Sequence, residues 1–304
     1  MPDTLSAFIF PAFASDFSDH PGKALPGFEE QFSVFIRSAA GTVDPALSQF
    51  SFNGTTFPAD ELRTQYITYI YSCTASSILR KQKFPPFITA GYSMGIYAAM
   101  FDAGVVSFGT GLELIRLAYL SLHASLMNRP YGMATIIGLS REDIQQLAGD
   151  SRLQAEITNQ NASHSFVVSG SSEGIAELLE LAKQEGALHT RDLGVSVPYH
   201  SGFLKEGAMD FSQKISHISF SSPGTMIISL IDQKIVETGD AMRNEVIRNL
   251  YNPLNWFTTQ RIMLDLGVSV FVECGPSKGL VKNAKFVDGN YRFYALDAAL
   301  HKKS

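Results

Sequence analysis

Residues 87–100 read FITAGYSMGIYAAM, and in this stretch Ser93 lies between Gly91 and Gly95. A run rich in β-formers ends at the first glycine, and an alanine-rich run follows the second. G-x-S-x-G between a strand and a helix is typical of a nucleophile elbow, a sharp turn that exposes the serine hydroxyl at the end of a sheet. The helix N-terminus then favours an oxyanion near the N–H of Met94. The alternative is a tight turn whose serine has no chemical role.

The composition is that of a globular protein with a sizeable core. The 304 residues are 45% hydrophobic and 17% charged, and the formal net charge is −5, without the clustered Lys and Arg of a nucleic-acid-binding protein. Cys73 and Cys274 lie far apart in sequence, and no Cys/His cluster has zinc spacing, so we expect a reduced, cytoplasmic protein without a metal. The apolar start AFIFPAFA is too short to span a membrane. We expect no nucleic-acid or membrane partner, and a monomer.

Short apolar runs bounded by Gly or Pro predict buried strands, and helical patterns lie between them. The predicted strands are FIFP from Phe8, FITA from Phe87, MIISL from Met226, VFVEC from Val270 and YRFYAL from Tyr291. Helices are predicted over Ala59–Lys81 and along the stripe Leu112, Ile115, Tyr119, Leu122 and Leu126. This alternation predicts an α/β fold whose parallel sheet is covered on both faces, as in α/β-hydrolases.

The middle of the chain has a different pattern, in the order βαββαβ. It contains the strand Met133–Leu139, a helix capped by Ser140, the close strands AEITNQN and SFVVSGS, a helix ended by Gly186, and the strand LHTRDLGV. This order predicts a ferredoxin-like unit. We therefore predict a small domain at residues 130–197 inserted in a catalytic domain formed by residues 1–129 and 198–304.

A nucleophilic serine needs a general base, and seven histidines are available. His200 is favoured because it lies in VSVPYHSGFL, where a strand ends at Pro198 and a polar loop follows. On spacing alone the preference is modest, since a loop histidine without a catalytic role has the same signature. We interpret the other six as surface or packing residues: His20, His123, His164, His189, His217 and His301.

Several segments together resemble the malonyl-CoA:acyl-carrier-protein transacylase family, the acyltransferases of fatty-acid and polyketide synthesis. GYSMGIYAAM resembles that family's GHSxGEYAAL, and VSVPYHSGFL resembles its histidine segment. ITNQNASHSFVVSG is similar to its NxNxPxQxVxxG hairpin, and LRTQYI to its TQPA segment. RNLYNPLNW and VECGPSKGL are similar to its late motifs. The matches occur in order along nearly the whole chain, and they imply the same two-domain fold.

The resemblance implies a role for each matching position. Ser93 would be the acylated nucleophile and His200 its general base, oriented by the backbone carbonyl of Asn249. The N–H groups of Met94 and Phe13 would stabilise the oxyanion. Five residues would line the substrate pocket: Gln65, Tyr92, Ala118, Asn161 and Tyr199. No cofactor is implied, because the substrates, acyl-CoA and an acidic acyl carrier protein, carry phosphopantetheine.

The departures from the family pattern concern the acyl pocket. The family binds the malonyl carboxylate through an arginine 25 residues after the serine, a position occupied here by Ala118. Arg116 lies two residues earlier, which is about 200° around a helix, so we expect it to face elsewhere. The GQGSQ-like loop reads AFASD here, with Phe13 for the glutamine, and Ile96 replaces the glutamate after the serine. We therefore expect an uncharged acyl group.

Three functions remain open. The first is an acyltransferase between CoA and carrier-protein thioesters; the second is a hydrolase that removes acyl groups from carrier proteins with the same Ser93 and His200. The third, a scaffold that only docks carrier proteins, is disfavoured because a binding module needs neither residue. Lys205, Lys278 and Lys282 are candidates for steering an acidic carrier, although a solvated surface lysine is the favoured interpretation of each one individually.

Overall fold

The computed structural model describes residues 4–14, 17–18, 20–52, 60–126, 129–149 and 152–299. The strands are β1 Leu5–Phe10, β2 Ile88–Gly91, β3 Tyr131–Ile137, β4 Ala155–Ala162, β5 Ser165–Ser171, β6 His189–Asp192, β7 Met226–Ile228, β8 Ile235–Val236, β9 Leu254–Asn255, β10 Val268–Glu273 and β11 Arg292–Ala295. The helices are α1 Phe28–Thr42, α2 Glu61–Lys81, α3 Gly95–Asp102, α4 Phe108–Ser125, α5 Arg141–Ala148, α6 Ser172–Gln184, α7 Lys205–Lys214, α8 Gly239–Asn249, α9 Trp256–Asp265, α10 Gly279–Ala284 and α11 Leu296–Ala299. Short 3-10 helices occupy Pro21–Ala24, Pro45–Gln49 and Gly202–Leu204.

The larger sheet has six strands in the order β11-β10-β1-β2-β7-β8. All neighbours are parallel except β7 and β8, which pair antiparallel. Its central strands are apolar on both faces, as expected when helices cover a parallel sheet on both sides. The predicted α/β fold is confirmed in this sheet, and each of the five predicted strands forms at its predicted place within a few residues.

Helix α2 lies at the centre of the larger core. Of its 21 residues, 14 are buried, including the aromatic side chains Tyr66, Tyr69 and Tyr71. It begins at the predicted place because Asp60 caps it: the Asp60 carboxylate accepts from the N–H of Arg63 at 3.0 Å. Helix α4 packs against α2 and carries Ala118 on its buried side. These two helices carry Gln65, Ala118, Tyr119 and Leu122, which form part of the wall of a cavity described below.

The smaller sheet has the strand order β6-β3-β5-β4-β9. Its first four strands are antiparallel and come from the segment predicted to be ferredoxin-like. The predicted cap of α5 forms as a capping box between Ser140 and Asp143. The left-handed φ of +98° at Gly186 follows the end of α6. Strand β9 pairs in parallel with β4 and so joins the late part of the chain to this sheet.

Two sheets of the predicted kinds are therefore present, while the boundaries 1–129, 130–197 and 198–304 remain a prediction. Cys73 and Cys274 are both free and buried. Within the described ranges, no helix has the length and the apolar content needed to span a bilayer.

Candidate active site

Ser93 lies at the carboxyl end of β2, in the sharp turn that leads into α3. Its φ of +57° is left-handed, a conformation that a residue with a Cβ adopts only when its surroundings enforce it. The flanking glycines explain how. A Cβ on Gly91 would lie 2.4 Å from the backbone nitrogen of Ile96, and one on Gly95 would lie 2.1 Å from the carbonyl oxygen of Phe10. Both glycines are therefore required by close backbone contacts on either side of the serine.

His200 is brought to the serine from the loop after the small sheet. The Ser93 hydroxyl lies 2.7 Å from Nε2 of His200, while Nδ1 lies 2.5 Å from the carbonyl oxygen of Asn249. This oxygen can only accept, so Nδ1 carries the proton and Nε2 is left free to accept from the serine. The Asn249 side chain also donates to the carbonyl oxygen of Ser93 at 3.3 Å. The geometry is that of a nucleophile, a base and an orienting group.

The imidazole of His200 is almost fully buried. Burial lowers its pKa to about 4, an effect that the hydrogen bond to Asn249 only partly opposes. The ring is consequently neutral at physiological pH, which is the form that can accept the serine proton. Among the other histidines, the ring of His123 contacts that of Tyr119, with the centroids 3.9 Å apart and the planes tilted by 37°, and His164 contacts the hydroxyl of Ser163.

An inner cavity of about 30 Å³ opens beside the serine. The predicted oxyanion residues Met94 and Phe13 both lie in its wall, and no hydrogen bond joins their backbone N–H groups to another described residue. Two spare donors at the same cavity as the nucleophile are what an oxyanion requires. The remaining lining residues come mostly from α2, α3, α4 and the loop before α7: Gln65, Tyr97, Ala118, Tyr119, Leu122, Tyr199, Asn249 and Leu250.

A wider groove of about 360 Å³ leads to the serine from the side of the smaller sheet. Its wall includes Tyr92, Met133 and Asn159, and it shares Ser93 and Tyr199 with the inner cavity. The groove has the size of a channel for an extended ligand, whereas the inner cavity has room for only a few atoms. The site thus consists of a small inner cavity and a larger groove that meet at the nucleophile.

The predicted pocket residues divide between these spaces. Gln65 and Ala118 line the inner cavity, Tyr92 lines the groove, and Tyr199 lines both. Asn161 lines neither. Instead its side-chain oxygen accepts from the Tyr92 hydroxyl at 2.8 Å and helps to fix that ring.

No Lys or Arg is among the described residues that line the inner cavity. Arg116 lies on another part of α4, where its guanidinium forms two hydrogen bonds with Glu113, at 2.8 and 2.6 Å. The expectation that Arg116 faces away from the cavity therefore agrees with its position. Ala118 is 5% exposed and contributes only a methyl group to the wall.

Two features of the cavity had no signal in the sequence patterns considered above. Glu61 lies behind the wall, where its carboxylate accepts from Gln65 at 2.9 Å and also from the Tyr199 hydroxyl. Tyr97 is buried in the wall, and its hydroxyl has no hydrogen-bond partner among the described residues. Glu61 lies four residues before Gln65 on α2, and side chains four residues apart on a helix are neighbours. This spacing is a signal by which Glu61 could have been found from the sequence.

The three candidate lysines are all exposed. Lys278 is engaged in an ion pair with Asp297, with Nζ 2.5 Å from the carboxylate. Their part in carrier docking remains a prediction. In the described part of the chain, no group of three or more His, Cys, Asp or Glu side chains is placed to hold a metal ion.

The malonyl CoA-acyl carrier protein transacylase of Haemophilus influenzae is 30% identical to this chain over 242 residues, which span 77% of each protein. This chain belongs to the malonyl CoA-acyl carrier protein transacylase family. The transacylase of Escherichia coli K12 is 29% identical over 231 residues, 73% of this chain and 74% of its own. No protein-family model matches the chain.

Solved structures of the transacylase family share the whole fold. An acyl-carrier-protein S-malonyltransferase from Burkholderia pseudomallei superposes with a TM-score of 0.86 at 25% identity, with 96% of both chains covered. The same values hold for a malonyl-transacylase solved in complex with its type II polyketide-synthase acyl-carrier protein. The predicted resemblance is thus confirmed at the level of family and fold.

Proposed function

We propose that this chain is an acyltransferase that moves an uncharged acyl group between CoA and acyl-carrier-protein thioesters. The relatives named above are malonyl transacylases, and family membership supports the transfer chemistry. The observation that supports the change of substrate is the cavity beside Ser93, whose wall holds Ala118 and no Lys or Arg among the described residues.

The chemistry follows from the Ser93–His200 geometry. His200 Nε2 takes the proton from the Ser93 hydroxyl as Oγ attacks the thioester carbonyl carbon. The N–H groups of Met94 and Phe13 stabilise the oxyanion, and its collapse breaks the carbon–sulfur bond. The departing thiolate takes the proton from His200 and leaves an acyl ester on Ser93. In the second half, a carrier thiol gives its proton to His200 and attacks the ester, and the departing Ser93 oxygen takes that proton back from His200 as the new thioester forms.

The acyl group is proposed to be uncharged because no Lys or Arg is among the described residues of the cavity wall. A carboxylate moved from water into such a space is strongly disfavoured unless a charged partner meets it. The absent charge-assisted hydrogen bonds are worth roughly 1.5–3 kcal/mol, which is about tenfold to a hundredfold in specificity. Short unbranched acyl groups such as acetyl do not incur this penalty. The small volume of the cavity favours the shortest of them.

The test is a loading competition read by intact mass. The protein receives equal concentrations of malonyl-, acetyl- and butyryl-CoA, and the mass of the protein identifies which acyl group it carries; Ser93→Ala is the control for site-specific loading. We expect the acetyl adduct to exceed the malonyl adduct by at least tenfold. Addition of the phosphopantetheinylated carrier protein should then move the acyl group to the carrier. Preferential malonyl loading by the unaltered protein would refute the proposed substrate.

A further inference from the structure

Three side chains form a closed hydrogen-bonded ring at one end of the inner cavity. Gln65 Nε2 donates to Glu61 Oε1 at 2.9 Å and to the Tyr199 hydroxyl at 3.2 Å. The Tyr199 hydroxyl donates in turn to the same Glu61 oxygen. Gln65 and Tyr199 line the cavity, so the Glu61 carboxylate lies directly behind them. The contact between Glu61 and Tyr199 joins residues 138 positions apart in the chain.

We propose that Glu61 is a specificity-determining residue, which rejects acyl groups that end in a carboxylate. The inference rests on the proposed function and adds to it. In the proposed function, malonyl is disfavoured because no Lys or Arg is among the described residues of the cavity wall. The present inference adds repulsion of malonyl by the Glu61 carboxylate.

A count of donors explains the first part of the effect. An amide nitrogen has two N–H groups and a tyrosine has one O–H. The O–H of Tyr199 is used within the ring, and so is one N–H of Gln65, which the two acceptors share because they lie in nearly the same direction from Nε2. A carboxylate that entered the cavity would therefore have to compete with Glu61 for these donors. The free hydroxyl of Tyr97 is a single neutral donor, which suits an acyl carbonyl or hydroxyl better than a charge.

The charge of Glu61 accounts for the second part. Two like charges separated by a thin, partly buried wall repel each other, because little water lies between them to screen the interaction. The nearest arginine along α4 does not neutralise Glu61, since Arg116 is paired with Glu113. Both effects, the competition for donors and the charge repulsion, disfavour loading of malonyl and do not affect loading of acetyl.

The consequence for engineering is specific. In Ala118→Arg alone, the new guanidinium would lie in the same cavity as the ring and would pair with Glu61 in preference to a substrate. In Glu61→Gln/Ala118→Arg, no protein anion competes, and the arginine is free to bind malonyl. The two substitutions should therefore be strongly coupled rather than additive.

The experiment measures the ratio of malonyl to acetyl loading by intact mass for the unaltered protein and for six variants. Glu61→Gln should raise the ratio roughly tenfold, and Glu61→Asp, which keeps the charge, should leave it within about threefold. The ratio should rise less than tenfold in Ala118→Arg and by roughly a thousandfold in Glu61→Gln/Ala118→Arg. Glu29→Gln is the matched control, because Glu29 also lies in the first turn of a long helix, away from the cavity, and should change nothing.

A sixth variant, Tyr199→Phe, keeps the test decisive if Glu61→Gln does not fold. It removes one donor from Glu61 and leaves that carboxylate less compensated, so the malonyl-to-acetyl ratio should fall further. A rise in the ratio would overturn the inference, as would an unchanged ratio in a folded Glu61→Gln protein. Malonyl preference in the unaltered protein would instead overturn the proposed function, so the two failures are distinguishable.

Discussion

The depressed pKa of His200 predicts an unusual pH dependence of acylation. The ring is 3% exposed, its Nδ1 donates to a backbone carbonyl rather than to a carboxylate, and its pKa is lowered to about 4. A base paired with a carboxylate would be protonated more readily. We therefore expect the second-order rate constant of Ser93 acylation to stay level from pH 8 down to about pH 5. The acidic limb should have its midpoint near pH 4 and not near 6.5.

His200 also makes the free energy of unfolding depend on pH, so that the protein becomes less stable as the pH falls. The pKa of His200 lies about 2.5 below its ordinary value, which corresponds to about 3 kcal/mol at full protonation. The unfolded chain binds this proton between pH 6.5 and 4 and the folded protein does not. The stability that neutral His200 provides is therefore complete above pH 6.5 and is lost as the pH falls through 4. At pH 5 the loss should be about 2 kcal/mol.

Two measurements check this reasoning. Rapid-mixing intact-mass kinetics with acetyl-CoA give the rate of acylation from pH 4.5 to 8. Urea unfolding of the unaltered protein and of His200→Ala at pH 7 and pH 5 gives the differential stability, since all other titrating groups cancel in the comparison. A kinetic midpoint near 6.5, or equal pH dependence of stability in the two proteins, would show that the ring is solvated or paired differently.

Two further predictions concern the elbow and the core. Ser93→Ala should abolish the acyl adduct detected by intact mass while leaving the thermal midpoint nearly unchanged, because one hydroxyl is removed; an adduct that persists would place acylation elsewhere. Asp102→Ala should destabilise the protein by about 3–5 kcal/mol in urea unfolding, because its fully buried carboxylate binds the Arg80 guanidinium through two bonds of 2.7 and 2.8 Å. Asp240→Ala, at an exposed pair with Arg243, should cost less than about 1 kcal/mol, and an equal loss in both variants would contradict the argument.

The elements that the sequence predicted well are those with a local cause. The elbow follows from two glycines within five residues, and α5 follows from the Ser140 cap and Asp143 three positions later. The ferredoxin-like strand order follows from a regular alternation of strands and helices. The two-residue strands β8 and β9 were missed, because a run of two residues has no periodicity to detect.

The pairing of Ser93 with His200 was predicted only in part from local signals. The elbow identifies the serine, but the loop pattern around His200 leaves the base open, and the family resemblance was needed to select it. The Glu61–Tyr199 contact has no local signal, because it joins the first turn of α2 to a loop that follows the smaller sheet. Such a contact depends on how the two sheets pack, which a periodic pattern does not encode.

Whether a thiol or water takes the acyl group depends on which of them reaches the ester carbonyl. The inner cavity, at about 30 Å³, is filled by a short acyl group, so water must approach through the groove. A phosphopantetheine arm in that groove would displace this water. We therefore expect acetyl-Ser93 to decay slowly when the enzyme is alone and rapidly when the phosphopantetheinylated carrier protein is added. Tyr199 lines both spaces. Tyr199→Ala should therefore widen the passage between them, admit water and speed hydrolysis at least tenfold, measured as loss of acyl mass. Rapid decay of the unaltered acyl-enzyme without a carrier would instead identify a hydrolase.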